Sequence, residues 1–171
     1  MEQENDLQLF DAGESTALVC LDHEQYQKVV VPQLADLKYK VHVGLYEDDV
    51  LLKLRTYSYD VIVVYENFKG STLATNPVLQ RLVAESAGQR RQHFVVLLSH
   101  LFPTNDSLSA FIHSVDRIVN FADLANFSAV LRRGMTEHRE KYHFFHSTLK
   151  TVQTMSSCRG ILRRVQGAPV G

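Results

Sequence analysis

The sequence predicts an α/β fold, a doubly wound five-stranded parallel sheet with helices on both faces and an extended C-terminal helix. Three observations predict it. Short apolar or β-branched runs recur at residues 16–21, 40–46, 60–65, 93–99 and 116–120, each bounded by polar residues. Segments with apolar residues at helical spacing separate them, and strands alternating with helices through short loops form right-handed parallel crossovers. The run Asp60-Val61-Ile62-Val63-Val64-Tyr65 is apolar on both faces, as a central strand covered by helices on each side must be.

Each element has its own local cause. Thr16 to Leu21 is too short for a helix core and ends at Asp22, which makes it the first strand. Tyr26, Val29, Val30, Leu34 and Leu37 define a helix over 24–38, in which Pro32 removes an N–H and should cause a kink. Residues 40–46 alternate as a strand does, and Asp48 or Asp49 can cap a helix through Val50, Leu51, Leu54 and Tyr57. After the central strand and a polar loop over 69–75, Asn76-Pro77 sets a cap followed by proline at the first helical position. Val78, Leu79, Leu82 and Val83 give that helix its buried face, and Gly88 is expected to close it. The fourth strand is His93 to Ser99. A short helix over 107–113 precedes the fifth strand, 116–120, and Asp123 is expected to cap the last helix.

A chain of 171 residues, 45% hydrophobic, suits one compact domain. The expected boundaries are an acidic leader over 1–15, a main domain over 16–133, an extension of the last helix over 134–155 and a loose tail over 156–171. Net charge is −1, so no overall field marks nucleic acid or an anionic membrane as partner. Two cysteines, Cys20 and Cys158, make neither a disulfide framework nor a zinc ligand set, and a reducing, cytoplasmic setting is expected. No run of about 18 apolar residues occurs, so neither a secretory signal nor a membrane span is expected.

In parallel sheets of this kind function gathers beyond the carboxyl ends of the strands. Those ends are Asp22-His23-Glu24, Tyr46-Glu47, Tyr65-Glu66, Ser99-His100 and Asn120-Phe121. The order and spacing over about 16–133 resemble the receiver domain of response regulators, the flavodoxin-like fold of the chemotaxis response regulator. The stretches carrying the resemblance are LDHE, TYSYDVIVVYENFKG, FVVLLSH and DRIVNFADL. The family implies two acids after strand one, an acceptor aspartate ending strand three, Ser or Thr ending strand four and lysine ending strand five. Asp22 and Ser99 match, while His23 replaces the second acid, Tyr65 the acceptor, and Asn120 the lysine. Arg117 stands at the aromatic switch position. The chain therefore resembles a degenerate pseudo-receiver in two-component signal transduction, which places it in bacterial signalling.

Chemistry gives those losses meaning independently of the family. Aspartyl phosphorylation needs a carboxylate nucleophile and a divalent cation on oxygen ligands, and a hard cation prefers carboxylates to imidazole. Tyr65 is a phenol, and a single acid at Asp22 makes a poor magnesium site. Glu66 could accept only if the strand ended one residue early, because successive strand residues face opposite sides.

Other constellations carry less. Glu140, His143 and His146 repeat at helical spacing, but only half of a carboxylate-bridged metal motif is present, so no metal and no cofactor is expected. His23 beside Asp22 could bind a ligand or act as a base. No G-x-S-x-G, G-x-G-x-x-G or P-loop pattern occurs, and catalysis is not indicated. The last helix is the departure: from Asp123 to about Met155 it exceeds an ordinary helix more than twofold, with only Gly134 as a weak breaker. Leu124, Leu131, His138, Phe145 and Val152 recur every seven residues, with Ser128, Met135, Tyr142 and Leu149 as a second row. That seam predicts a homodimer through Met135, His138, Tyr142, Phe145, Leu149 and Val152. Between Arg132 and Arg164 eight Lys/Arg stand against two Glu, a basic flank that fits solvent better than nucleic acid, for which no recognition pattern is present.

The expected function is a phosphorylation-independent signalling module, not an enzyme, acting by protein–protein interaction or dimerisation. Two alternatives stand beside it: ligand or metal sensing at the strand-end rim by Asp22, His23, Glu66 and Ser99, and an atypically phosphorylated response regulator.

Overall fold

The computed structural model describes residues 13–143. The chain divides into two compact units, Met1–Gly134 and Met135–Gly171. In the first unit, five strands form one parallel sheet in the order β2-β1-β3-β4-β5: β1 (Thr16–Cys20), β2 (Lys40–Gly44), β3 (Val61–Tyr65), β4 (Phe94–Ser99) and β5 (Arg117–Asn120). β1, β3 and β4 are buried along their whole length, which is why their sequences are apolar without alternation. β2 stands at an edge and is only partly covered, and its sequence, Lys40-Val41-His42-Val43-Gly44, alternates accordingly.

Right-handed crossovers place α1 (Glu24–Asp36) on one face and α2 (Glu47–Thr56), α3 (Pro77–Val83) and α5 (Ser107–Ile112) on the other. A short α4 (Ala87–Arg90) lies between α3 and β4. Gly44 lets α2 approach the sheet, because a Cβ there would lie 2.2 Å from Val50 Cγ2. Gln33 ties α1 to the chain after β5, donating to Leu124 O at 2.8 Å and accepting from Ser128 N–H at 2.8 Å.

Several local expectations need correction. α1 continues past Pro32 and ends at Asp36, two residues before the expected end at Lys38. α2 starts after Tyr46, which offers no side-chain cap; Asp48 and Asp49 lie in its first turn instead, favoured by the helix dipole, and Asp49 pairs with Lys53 at 2.7 Å. Asn76 caps α3 as expected, accepting from Val78 and Leu79 N–H. Gly88 does not end that helix. α3 stops at Val83, and Gly88 lies inside α4, whose start is fixed by a reciprocal Ser86–Gln89 capping box. Asp123 does not cap the last helix: a 3-10 turn, Phe121–Asn126, intervenes, Asn120 caps it through Ala122 N–H at 2.9 Å, and Asp123 instead accepts the Thr104 hydroxyl. An α-helix, α6, then covers 127–143, up to the last described residue. Gly134 breaks nothing; it is buried beside Phe94 and Arg117.

Candidate functional site

The carboxyl ends of the strands bring together Asp22, His23, Tyr65, Ser99 and Asn120, the five positions that the sequence singles out, with Tyr26, Glu66, His100 and Phe121 added. Asp22, just past β1, keeps its carboxylate engaged: Oδ2 accepts the Lys69 backbone N–H at 2.9 Å, and Oδ1 lies 3.1 Å from His23 Nδ1. That Lys69 amide points at Asp22 because Lys69 adopts a left-handed conformation, φ 55°, after Phe68 has anchored the loop in the core. The Lys69 ammonium faces away over the Tyr46 ring, 4.8 Å from its centroid.

Tyr65 ends β3 and is buried among rings. His23 meets it edge-on at 5.2 Å and Phe121 edge-on at 5.3 Å, while Phe121 stacks on His100 at 4.0 Å and 12° and touches Tyr26 at 4.4 Å. An aromatic and imidazole cluster thus fills this part of the rim. Burial chiefly, then the nearby Glu66 and Asp22 charges, push the Tyr65 phenol above its ordinary range, so it stays protonated and weakly nucleophilic.

Glu66 points the other way and is the main surprise of the site. Its side chain is only 1% exposed, yet both oxygens are satisfied: Oε2 accepts the Ser99 hydroxyl at 2.5 Å, and Oε1 accepts the His100 backbone N–H at 2.7 Å. Its own N–H donates to Leu98 O at 3.0 Å, holding it against β4 although β3 has formally ended. Ser99 Oγ in turn accepts from Leu101 and Phe102 N–H at 2.9 and 3.2 Å. The hydroxyl therefore caps the loop after β4, as expected of a strand-end serine, and also joins that loop to a fixed carboxylate.

Asn120 carries no charge to the rim. It donates to Phe102 O at 2.8 Å and caps the following turn, tying the ends of β4 and β5 together. Arg117 lies three residues earlier, reaching Asn105 at 3.2 Å and packing next to Gly134. Asn120 and Arg117 thus each hold the loop between β4 and β5, Asn120 through Phe102 and Arg117 through Asn105. Among the described residues no three His, Cys, Asp or Glu side chains converge as a metal ligand set. Of the expected self-association seam, Met135, His138 and Tyr142 lie on α6, with the His138 and Tyr142 rings 4.6 Å apart; Phe145, Leu149 and Val152 lie outside the described residues.

The aromatic cluster was legible in part, since His23, Tyr65, His100 and Phe121 all stand at strand ends. What the one-dimensional pattern lacks is Tyr26, which reaches the rim from the first turn of α1.

No protein-family model and no curated protein matches the chain. Solved structures do. The receiver domain of the Francisella response regulator 1452 superposes with TM-score 0.56 at 16% identity, over 74% of this chain and 98% of that one. The BeF3-activated DrrB receiver domain gives 0.53 at 20%, over 72% and 97%. The chemotaxis response regulator CheY4 of Vibrio cholerae gives 0.53 at 17%, over 71% and 98%. The chain has the fold of response-regulator receiver domains. Among the described residues no helix is long and apolar enough to cross a membrane.

Proposed function

We propose that this chain is a degenerate receiver, a signalling module of the response-regulator type that acts without phosphorylation and through contact with protein partners, and that it is not an enzyme. One observation carries this reading. The hydroxyl position of the receiver switch, Ser99, is already bound by a carboxylate of the chain itself, Glu66, which also takes the His100 amide. A side chain of the chain itself thus already holds the hydroxyl that a switching receiver would turn towards its phosphoryl group. Tyr65 supports the reading because a buried phenol offers no carboxylate, and Asn120 because it offers no cation. Asp22 alone, with both oxygens engaged, is a weak seat for Mg²⁺. Glu66 makes a poor acceptor because it is buried and both its oxygens are occupied.

Self-association through the extended C-terminal helix belongs to the same proposal, resting on the two heptad rows from Leu124 to Val152. The test of phosphorylation independence is intact mass after incubation with acetyl phosphate and Mg²⁺. The mass is expected to stay unchanged. A stable single phosphoryl adduct mapping to Glu66 or Asp22 overturns the proposal.

A further inference from the structure

Two carboxylates at the carboxyl ends of the strands lack a cation. Asp22 meets the Lys69 backbone N–H and the His23 ring, and Glu66 meets the Ser99 hydroxyl and the His100 N–H. Among the described residues neither forms an ion pair with a lysine or an arginine. Lys69 sends its ammonium to the Tyr46 ring, and the neutral Asn120 spends its side chain on Phe102 and Ala122. Between these groups stands Tyr65, 8% exposed, whose hydroxyl makes no hydrogen bond to any described residue. The Asp22 and Glu66 charges both act on that phenol, so its oxygen lies on their side of the ring cluster. Buried polar groups ordinarily have partners, and one left open beside a carboxylate marks a place for a ligand's donor.

We infer that this rim is a binding site for a guanidinium group, supplied by an arginine side chain of a protein partner, with its head on Asp22 and Tyr65 and its stem and plane against the rings of Tyr26, His100 and Phe121. The inference rests on the reading that the chain acts through protein partners, and it names the chemistry of one. Asp22 accepts one described contact at each oxygen, and a carboxylate oxygen has room for a second. The Tyr65 hydroxyl adds an acceptor beside it. A guanidinium presents a planar fork of N–H donors that suits a carboxylate, and it is more weakly hydrated than an ammonium, so it loses less on entering a half-buried place. The rings complete the match. His100 is exposed and stacks on Phe121 at 4.0 Å, and Tyr26 touches Phe121 at 4.4 Å, so a planar cation finds electron-rich faces next to the carboxylate. Competing cations fit less well. Mg²⁺ needs several oxygen ligands in octahedral array and keeps its waters, whereas this rim gives it one partly exposed carboxylate among rings. A lysine ammonium is compact and strongly hydrated, and it has no plane to lay on a ring.

The test is an NMR titration of the full, isotope-labelled chain with N-acetyl-arginine-N-methylamide, with its lysine counterpart, with free arginine and with Mg²⁺. The capped arginine is expected to shift the ring signals of Tyr65, His100 and Phe121 saturably at millimolar concentration, and the capped lysine to bind several-fold more weakly. Asp22→Asn keeps an acceptor for the Lys69 N–H and is expected to weaken binding several-fold, and Tyr65→Phe to weaken it by less; unchanged amide signals away from the rim confirm that both variants are folded. Rings left unshifted by the capped arginine, equal binding of the lysine compound, or binding untouched by Asp22→Asn overturns the inference. Saturable rim shifts with Mg²⁺ assign the site to a metal, and tighter binding of free arginine assigns it to a small molecule; either result overturns the protein arginine. None of these outcomes adds a phosphoryl group to the chain, so a failure here stays distinct from a failure of phosphorylation independence, which intact mass reads.

Discussion

Glu66 owes its position to one residue of register. β3 pairs with β4 up to Tyr65 opposite Leu98, and the next side chain, facing the other way, meets the hydroxyl and amide at the end of β4. Removing that carboxylate orphans the Ser99 hydroxyl hydrogen and the His100 N–H in a buried place. Glu66→Ala is therefore expected to lower stability by about 1–3 kcal/mol in urea denaturation. A variant as stable as the parent would mean that solvent already reaches this network. Tyr65→Asp is the complementary case. It places a carboxylate near Asp22 and Glu66, whose charges already act on Tyr65, so the protein should fold but lose about 1 kcal/mol. An unchanged or raised melting temperature would argue against crowding of acids at the rim. The sequence placed Tyr65 at the acceptor position by counting from Asp60. It could not place the Glu66 oxygens, because their partners come from a strand 33 residues away whose offset no local pattern records.

At the scale of elements, caps made by a residue's own neighbours were legible and those depending on chain path were not. Asn76-Pro77 starts α3 as its local chemistry dictates. Asp123 has the right residue type for a cap, but the chain leaves β5 through a 3-10 turn that Asn120 already caps, and Asp123 is left to Thr104. Gly134 is the sharper lesson. Read in one dimension it weakens a helix; in the fold it is the point where α6 passes close to β4 and β5. A Cβ there would lie 2.7 Å from Phe94 Cζ and 2.9 Å from Arg117 Nε, and Phe94 is buried in the core. Gly134→Ala gains up to about 1 kcal/mol of helix propensity and loses about 1–3 kcal/mol to overpacking, so a net drop in melting temperature is expected. A gain in melting temperature would show that Arg117 yields freely. Further along, Phe145→Asp should weaken self-association through the heptad seam, seen as a lower weight-average mass than that of the parent chain at the same concentration.

Across the whole molecule, the parallel sheet and its strand order follow from a sequence whose central strands are apolar on both faces. Burial of those strands also sets a limit at high pH. Cys20 in β1 and Tyr59 before β3 are both held protonated, chiefly by desolvation, well above their ordinary values of 9.0 and 10.0. The unfolded chain releases these protons at the ordinary values while the folded chain retains them. Their contribution to stability is complete below about pH 9 and declines as pH rises beyond it. Urea midpoints measured across the alkaline range should fall, and Cys20→Ala should make the first part of that fall shallower; an identical slope in both proteins would remove Cys20 from the account.

The central claim, that Glu66 already holds the Ser99 hydroxyl and the loop after β4 without a phosphoryl signal, is tested most directly by amide hydrogen exchange at His100, Leu101 and Phe102. These N–H groups are held by Glu66 and Ser99 in the resting protein. The account predicts slow exchange that acetyl phosphate with Mg²⁺ leaves unchanged and that Glu66→Ala accelerates. Fast exchange in the resting protein that slows when the phosphodonor is added would contradict it.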